Sequence, residues 1–280
     1  VMSAQLFVVA TPIGHLDDMT FRAIDILKSV AVVAAEDTRQ SAHLLKHYNI
    51  LTPLTACHDH NESSKIEQLV TKMLNGESIA LISDAGTPLI SDPGFKLVRA
   101  AQEHGIRVIP VPGACAAIAA LSAVGLPSDR FSFEGFLPSK STQRISQLEK
   151  LKAETQTLIF YEAPHRILAS VKDMAQVFGE NRPVGFAREI TKTFETIKKM
   201  TLKELVVFIE NDRNQEKGEI VVLVGGATEV KDLAQDKLDE LLQRLLQDLS
   251  VKAASQLAAD LTGIKKKVAY QRALELTQSD

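Results

Sequence analysis

The chain has 280 residues, 45% of them hydrophobic and 24% charged, and a formal net charge of -3. That composition supplies enough apolar material for a substantial core and two lobes of ordinary domain size, and it excludes both a disordered chain and a protein that coats nucleic acid nonspecifically. The two cysteines, Cys57 and Cys115, stand far apart without C-x-x-C spacing, so neither a disulfide framework nor a zinc knuckle is expected and a reducing cytoplasm fits.

Residues 5–10 form the first predicted strand. The apolar stretch over 1–10 is too short to span a bilayer and has no basic region before it, so neither secretion nor membrane insertion is expected. Apolar runs of strand length then alternate with amphipathic helical stretches, the rhythm of βα units and a largely parallel sheet. Ile66, Leu69, Val70, Met73 and Leu74 recur at helical spacing and predict a core-facing stripe that Gly76 stops. Asp92 and Pro93 read as the N-cap and first position of another helix, striped by Leu97, Val98 and Ala101 and ended by Gly105 before a strand over 106–111. The small apolar run 114–123 predicts a helix buried on most sides between two lobes.

Further on, 157–161, 184–187 and 219–224 are predicted strands, with helices starting near Pro164 and Thr201. No strand pattern follows Gly226. Residues 231–280 predict three short helices, the first striped by Leu238, Leu241, Leu242, Leu245 and Leu249. The expected architecture is α/β: one lobe over 1–112, a second over 113–227, and a small C-terminal helical appendage over 228–280.

Ligands of α/β lobes bind at strand ends, where backbone donors and helix N-termini line a crevice. The first strand releases Thr11-Pro12-Ile13-Gly14-His15-Leu16. A later one releases twelve residues, Ser83 through Gly94, whose density of Gly, Pro and Asp exceeds what a turn requires. Neither G-x-G-x-x-G nor G-x-x-x-x-G-K-[ST] occurs, which lowers the weight of NAD and ATP sites. A nucleoside ligand without a diphosphate needs a carboxylate but no glycine-rich anion cradle, and S-adenosylmethionine meets that description.

His58-Asp59-His60-Asn61-Glu62 gathers imidazole and carboxylate groups but lacks H-E-x-x-H spacing, and on an extended segment His58 and His60 share a face that Asp59 does not. A substrate-facing loop or a helix N-cap at Asn61 is preferred, and no metal is expected. Glu36-Asp37-Thr38-Arg39, after a strand over 30–35, fits helix capping and pocket lining equally. Residues 160–166 and 187–195 again place charge at strand ends, where structural ion pairs account for much of it.

At these loops the chain resembles the tetrapyrrole methylase superfamily, and within it the branch of bacterial 16S rRNA cytidine 2′-O-methyltransferases. Nine blocks carry the resemblance in order over nearly the whole chain: TPIGHLDD, AAEDTRQS, HDHNE, LISDAGTPLISDPG, VPGACAAIAAL, GLPSDRFSFEGFLP, TLIFYEAPHR, AREITKTFET and KGEIVVLV. The resemblance implies two αβα lobes with S-adenosylmethionine in the cleft between them, a homodimer, and methylation of a cytidine ribose in 16S rRNA of the small ribosomal subunit. Carried over by position, Asp84 would hold the donor, with Gly86 and Thr87 on the same side and Pro12 closing the first loop. The backbone of Ala114 and Cys115 would meet the methionine portion, and Tyr161, Ala187 and Gly218 the adenosine. Ser83-Asp84-Ala85 stands where other members carry Gly-Asp-Pro, as in the rRNA branch, which weakens the analogy with porphyrinoid methylation.

Methyl transfer to a hydroxyl is an in-line displacement that needs alignment of the reacting atoms and an outlet for the hydroxyl proton. Asp37, His60 and the pair Glu189 and Lys192 are the candidates to receive or orient that proton, and the sequence does not choose among them. Arg39, Lys140, Arg144, Lys265, Lys266 and Lys267 are candidates to contact RNA phosphates. The last three begin a predicted helix, where the dipole does not favour cations. Residues 253–274 also resemble a small helix-turn-helix unit. Three other readings compete: a sibling enzyme acting on a small tetrapyrrole precursor, a noncatalytic RNA-binding module, and a metal-dependent hydrolase built on His58 and His60.

Overall fold

Five short apolar strands build the first sheet: β1 (Gln5–Val9), β2 (Val32–Ala35), β3 (Leu54–Ala56), β4 (Ile79–Ile82) and β5 (Arg107–Val111). In the computed structural model, which describes residues 4–57, 62–227 and 230–278, they run parallel in the order β3-β2-β4-β1-β5. β2 and β4 are buried along their whole length, as strands covered on both faces must be. On one face α1 (Phe21–Ser29) and α2 (Thr38–His47) pack Leu27 and Leu45 against Val9, Val33 and Ile82. On the other, α3 (Glu62–Leu74) and α4 (Phe95–Glu103) pack Leu69, Met73 and Leu97 against Leu6 and Leu81.

Two details depart from expectation. Leu74 is 59% exposed although Ile66, Leu69, Val70 and Met73 are buried, because at about 100° per residue it falls on the edge of the stripe. α4 begins after Gly94, which caps it without a side-chain hydrogen bond, so Asp92 is not its N-cap.

The second sheet contains β6 (Phe131–Phe136), β7 (Thr157–Glu162), β8 (Pro183–Arg188), β9 (Thr196–Thr201) and β10 (Ile220–Val224), in the order β6-β7-β10-β8-β9. Only the β6–β7 pair is parallel, so the largely parallel expectation holds for the first sheet alone. Alternate residues of the fully buried β10 serve opposite faces. Val222 and Val224 join the core under α6 (Ser141–Leu151), α7 (Ile167–Phe178) and α8 (Leu202–Asn211), whereas Val221 and Leu223 face α5 (Ala116–Val124). α8 starts with a Thr201–Glu204 capping box, worth about 1 kcal/mol.

α5 seats on this sheet through Ala117, Ala120, Leu121 and Val124, and Gly185 makes the approach possible because a Cβ there would overlap Val124. Its other side is open, with Ile118 50% exposed, so α5 covers one sheet with one face and is not buried on most sides.

The C-terminal helices α9 (Val230–Leu245), α10 (Val251–Thr262) and α11 (Lys266–Gln278) close around Leu238, Leu242, Ala254, Ala258, Ala269 and Ala273. The alanines let the helices approach closely. Leu249 lies beyond α9 and is exposed, outside the stripe predicted for it. No helix among the described residues is long and apolar enough to cross a membrane.

Candidate active site

α1 and α4 leave the adjacent strands β1 and β4 toward opposite faces of the first sheet, so the loops after those strands diverge and open a crevice, the switch point at which doubly wound sheets bind ligands. Thr11 and Gly86 pin the two loops together through reciprocal backbone hydrogen bonds of 2.9 and 3.0 Å. The second lobe lays the α5-bearing face of its sheet against this crevice and encloses a cavity of about 480 Å³, within the range of small-molecule sites.

Six residues predicted to meet a cofactor line that cavity: Asp84, Gly86, Thr87, Cys115, Tyr161 and Gly218. Three others adjoin it. Pro12 is buried between Thr11 and the lining residue Ile13. The Ala114 carbonyl accepts a 2.9 Å hydrogen bond from Thr87 Oγ1, and Ala187 is buried on β8 opposite the lining residue Val221. Cys115 is the N-cap of α5 and makes no side-chain cap, so its own side chain does not occupy that helix end, where Cys115 and Ala116 line the cavity.

Tyr161 accepts a hydrogen bond from the Ala117 amide and packs edge-on against Phe133 and Phe136. Burial, reinforced by Cys115, pushes its hydroxyl far above the ordinary range, so it stays protonated. The Asp84 carboxylate accepts the Asp37 amide at 3.0 Å, while the Asp37 carboxylate caps α2 through the amides of Arg39 and Gln40. The segment Glu36 to Arg39 therefore caps a helix and also braces a cavity residue, and Gln40 lines the cavity.

Glu189 and Lys192 form a second polar cluster at the rim. Lys192 Nζ lies 3.0 Å from both Glu189 and Glu219, and the Glu219 amide donates to Glu189 at 2.8 Å. Burial opposes ionisation of Glu189, but the Glu219 amide and Lys192 outweigh it and hold the carboxyl below its usual range. Lys192 is likewise held charged against its burial by its two carboxylate partners. The backbone is left-handed at Glu189 and Thr191, and Gly218 is required because a Cβ at its positive φ would overlap the Glu189 carboxylate. Strain of this kind persists where surrounding structure fixes it.

His60 lies outside the described residues, as do His58, Asp59 and Asn61. Among the described residues no group of three His, Cys, Asp or Glu side chains could hold a metal. Of the residues considered for RNA, Arg39, Lys140, Lys265, Lys266 and Lys267 are exposed, the last three at the start of α11. Arg144 is not available to RNA. It is 3% exposed, paired with Asp173 at 2.7 Å, and donates to the carbonyls of Pro138 and Ser139, tying α6 to α7.

Sequence reasoning missed Asp92 and Phe136. Asp92 looked like a helix cap but lines the cavity, where burial raises its pKa to about 6, with the nearby Asp84 charge adding and the Ser83 hydroxyl opposing. Phe136 closes the cavity from β6, whose alternation in FSFEGF was a readable strand signal.

The chain belongs to the tetrapyrrole (corrin/porphyrin) methylase family, whose profile matches residues 5–206, and a second profile, the RsmI C-terminal HTH domain, matches residues 232–277. The ribosomal RNA small subunit methyltransferase I of Pseudomonas aeruginosa is 56% identical over 272 residues, covering 96% of this chain and 96% of the relative. The Escherichia coli O157:H7 protein of the same name is 52% identical, covering 97% and 95%. The uroporphyrin-III C-methyltransferase of Thermus thermophilus, solved with S-adenosyl homocysteine, shares the fold with a TM-score of 0.55 at 17% identity, covering 79% of this chain and 97% of its own.

Proposed function

We propose that this protein transfers the methyl group of S-adenosylmethionine to the 2′-hydroxyl of a cytidine ribose in 16S rRNA of the small ribosomal subunit, as a cytoplasmic homodimer. The observation that carries the reading is the near full-length similarity to ribosomal RNA small subunit methyltransferase I, which takes in both the cleft and the helical appendage. About a fifth of the chain lies outside the alignment with the Thermus uroporphyrin enzyme, as an added acceptor-binding unit would.

The lining fits the donor. S-adenosylmethionine, when bound, supplies an electrophilic methyl group on a positively charged sulfur. Asp84 gives the cavity the negative charge that suits such a cation, while the N-terminal end of α5 suits a carboxylate. Asp84 is fixed by the Asp37 amide, Thr87 by the Ala114 carbonyl, and Phe136 and Tyr161 form an aromatic wall that excludes water. In this reading the lobes over 1–112 and 113–227 hold the donor with Pro12, Asp84, Gly86, Thr87, Ala114, Cys115, Tyr161, Ala187 and Gly218. The appendage over 228–280 presents Lys265, Lys266 and Lys267 to phosphates, assisted by Arg39 on the first lobe and Lys140 on the second.

The test is transfer of labelled methyl from S-adenosylmethionine to 30S subunits, naked 16S rRNA and a tetrapyrrole precursor in parallel. Label in either RNA substrate is expected. Label in the tetrapyrrole alone, or donor binding without transfer to any of the three, would overturn the reading.

A further inference from the structure

The rim cluster leaves the proton of the acceptor hydroxyl without a good destination. Lys192 is held protonated, and the Glu189 carboxylate is occupied by Lys192 and the Glu219 amide. The Asp37 carboxylate caps α2, and Asp84 is engaged by the Asp37 amide. The Glu162 side chain lies on the wall but is fully buried: one oxygen is held by Arg166 and the Ala163 amide, and the other, which has no hydrogen-bond partner among the described residues, has no exposed surface to offer an acceptor.

Asp92 differs from all of these. It lies on the cavity wall, half-buried, beside the hydroxyl of Ser83. Its loop is locked in place. Leu89 and Ser91 hold left-handed backbone conformations on either side of Ile90, an arrangement that costs about 1–3 kcal/mol per residue and persists only where packing dictates it. Ser91 also runs close to Gly135 at the bulge of β6, so the loop lies next to both sheets.

We propose that Asp92 is a catalytic residue, the group that accepts the proton lost by the acceptor hydroxyl. The proposal rests on the methyl-transfer reading above. As the hydroxyl oxygen bonds to the methyl carbon, the carbon–sulfur bond breaks and its electron pair stays on sulfur. The hydroxyl proton passes to an Asp92 oxygen and from there to water. Partial burial and the neighbouring Asp84 charge make Asp92 a better proton acceptor than an ordinary aspartate, against the opposing bond from Ser83. Tyr161, which faces it from β7, stays neutral and does not compete for the proton.

The experiment pairs wild type with Asp92→Asn and Asp92→Ala in single-turnover methylation of 30S subunits at saturating donor, over pH 5 to 9, alongside calorimetric binding of S-adenosylhomocysteine. Loss of a general base costs about 100-fold or more in rate, so both variants are expected to fall by at least that factor while the Kd for S-adenosylhomocysteine changes less than about 3-fold. The wild-type rate should fall as pH drops through about 6, and that limb should vanish in Asp92→Asn. Variant rates close to wild type, or loss of S-adenosylhomocysteine binding along with the rate, would overturn the assignment. Absence of wild-type methylation would instead strike the methyl-transfer reading itself.

Discussion

Replacing Arg144 with Met should destabilise the second lobe without altering RNA binding. The guanidinium reaches Asp173 with both Nε and a terminal nitrogen at 2.7 Å and satisfies the carbonyls of Pro138 and Ser139. Truncation leaves Asp173, itself only 14% exposed, with the Ser141 hydroxyl as its remaining hydrogen-bond donor. Removing one partner of a buried pair costs about 3–5 kcal/mol, and the Ser141 bond argues for the lower end. About 3 kcal/mol corresponds to a fall in Tm of about 6–12 °C. The chain has no tryptophan, so far-UV circular dichroism is the suitable probe. Arg144→Met with Asp173→Leu should recover part of the loss, because an apolar pair of similar volume needs no compensation. An unchanged Tm combined with weaker, less salt-dependent RNA binding would refute the reasoning and return Arg144 to the RNA surface.

Three further outcomes follow from the same geometry. Changing Lys265, Lys266 and Lys267 together to Gln should raise the stability of the appendage slightly, since cations at a helix N-terminus are disfavoured, yet lower the slope of log affinity against log salt for 16S rRNA by about 2; an unchanged slope removes these lysines from the interface. Gly185→Ala should cost about 1–3 kcal/mol by driving a methyl into Val124, and Val124→Ala should relieve it; additive losses in a thermal-denaturation cycle would contradict that contact. Because the folded-state pKa of Glu189 lies below its ordinary value of 4.5, the carboxylate contributes stability above about that pH and loses it as pH falls through the depressed value. Glu189→Gln should therefore flatten the decline of Tm between pH 5.5 and pH 3, and an unaltered acid limb would argue against the cluster.

Much of the fold was legible because its central strands are built on runs of mostly apolar residues and its helices carry regular stripes. β1, β7, β8 and β10 were readable for that reason. β9 was not, since its run TIKKMT lies at a sheet edge and exposes Lys198 and Lys199 to solvent. The antiparallel pairing of the second sheet was hidden for a related reason: a buried strand shows the same apolar run whichever way its neighbours point. At the site, the loop from Ser83 to Gly94 stood out through composition, but the place of Asp92 on the cavity wall did not, because Asp-Pro mimics a helix start and the left-handed turns at Leu89 and Ser91 fall on residue types that do not announce them. Arg144 read as surface charge because its partner Asp173 lies 29 residues away on another helix, which local pattern cannot reveal.

The most direct test of the account is the chemical position of the transferred methyl group in labelled 30S RNA. A 2′-O-methyl group removes the hydroxyl that alkali needs to cleave the adjoining phosphodiester, so the predicted result is label in an alkali-stable dinucleotide that yields 2′-O-methylcytidine on further digestion. Label released by alkali as a methylated-base mononucleotide would contradict the account.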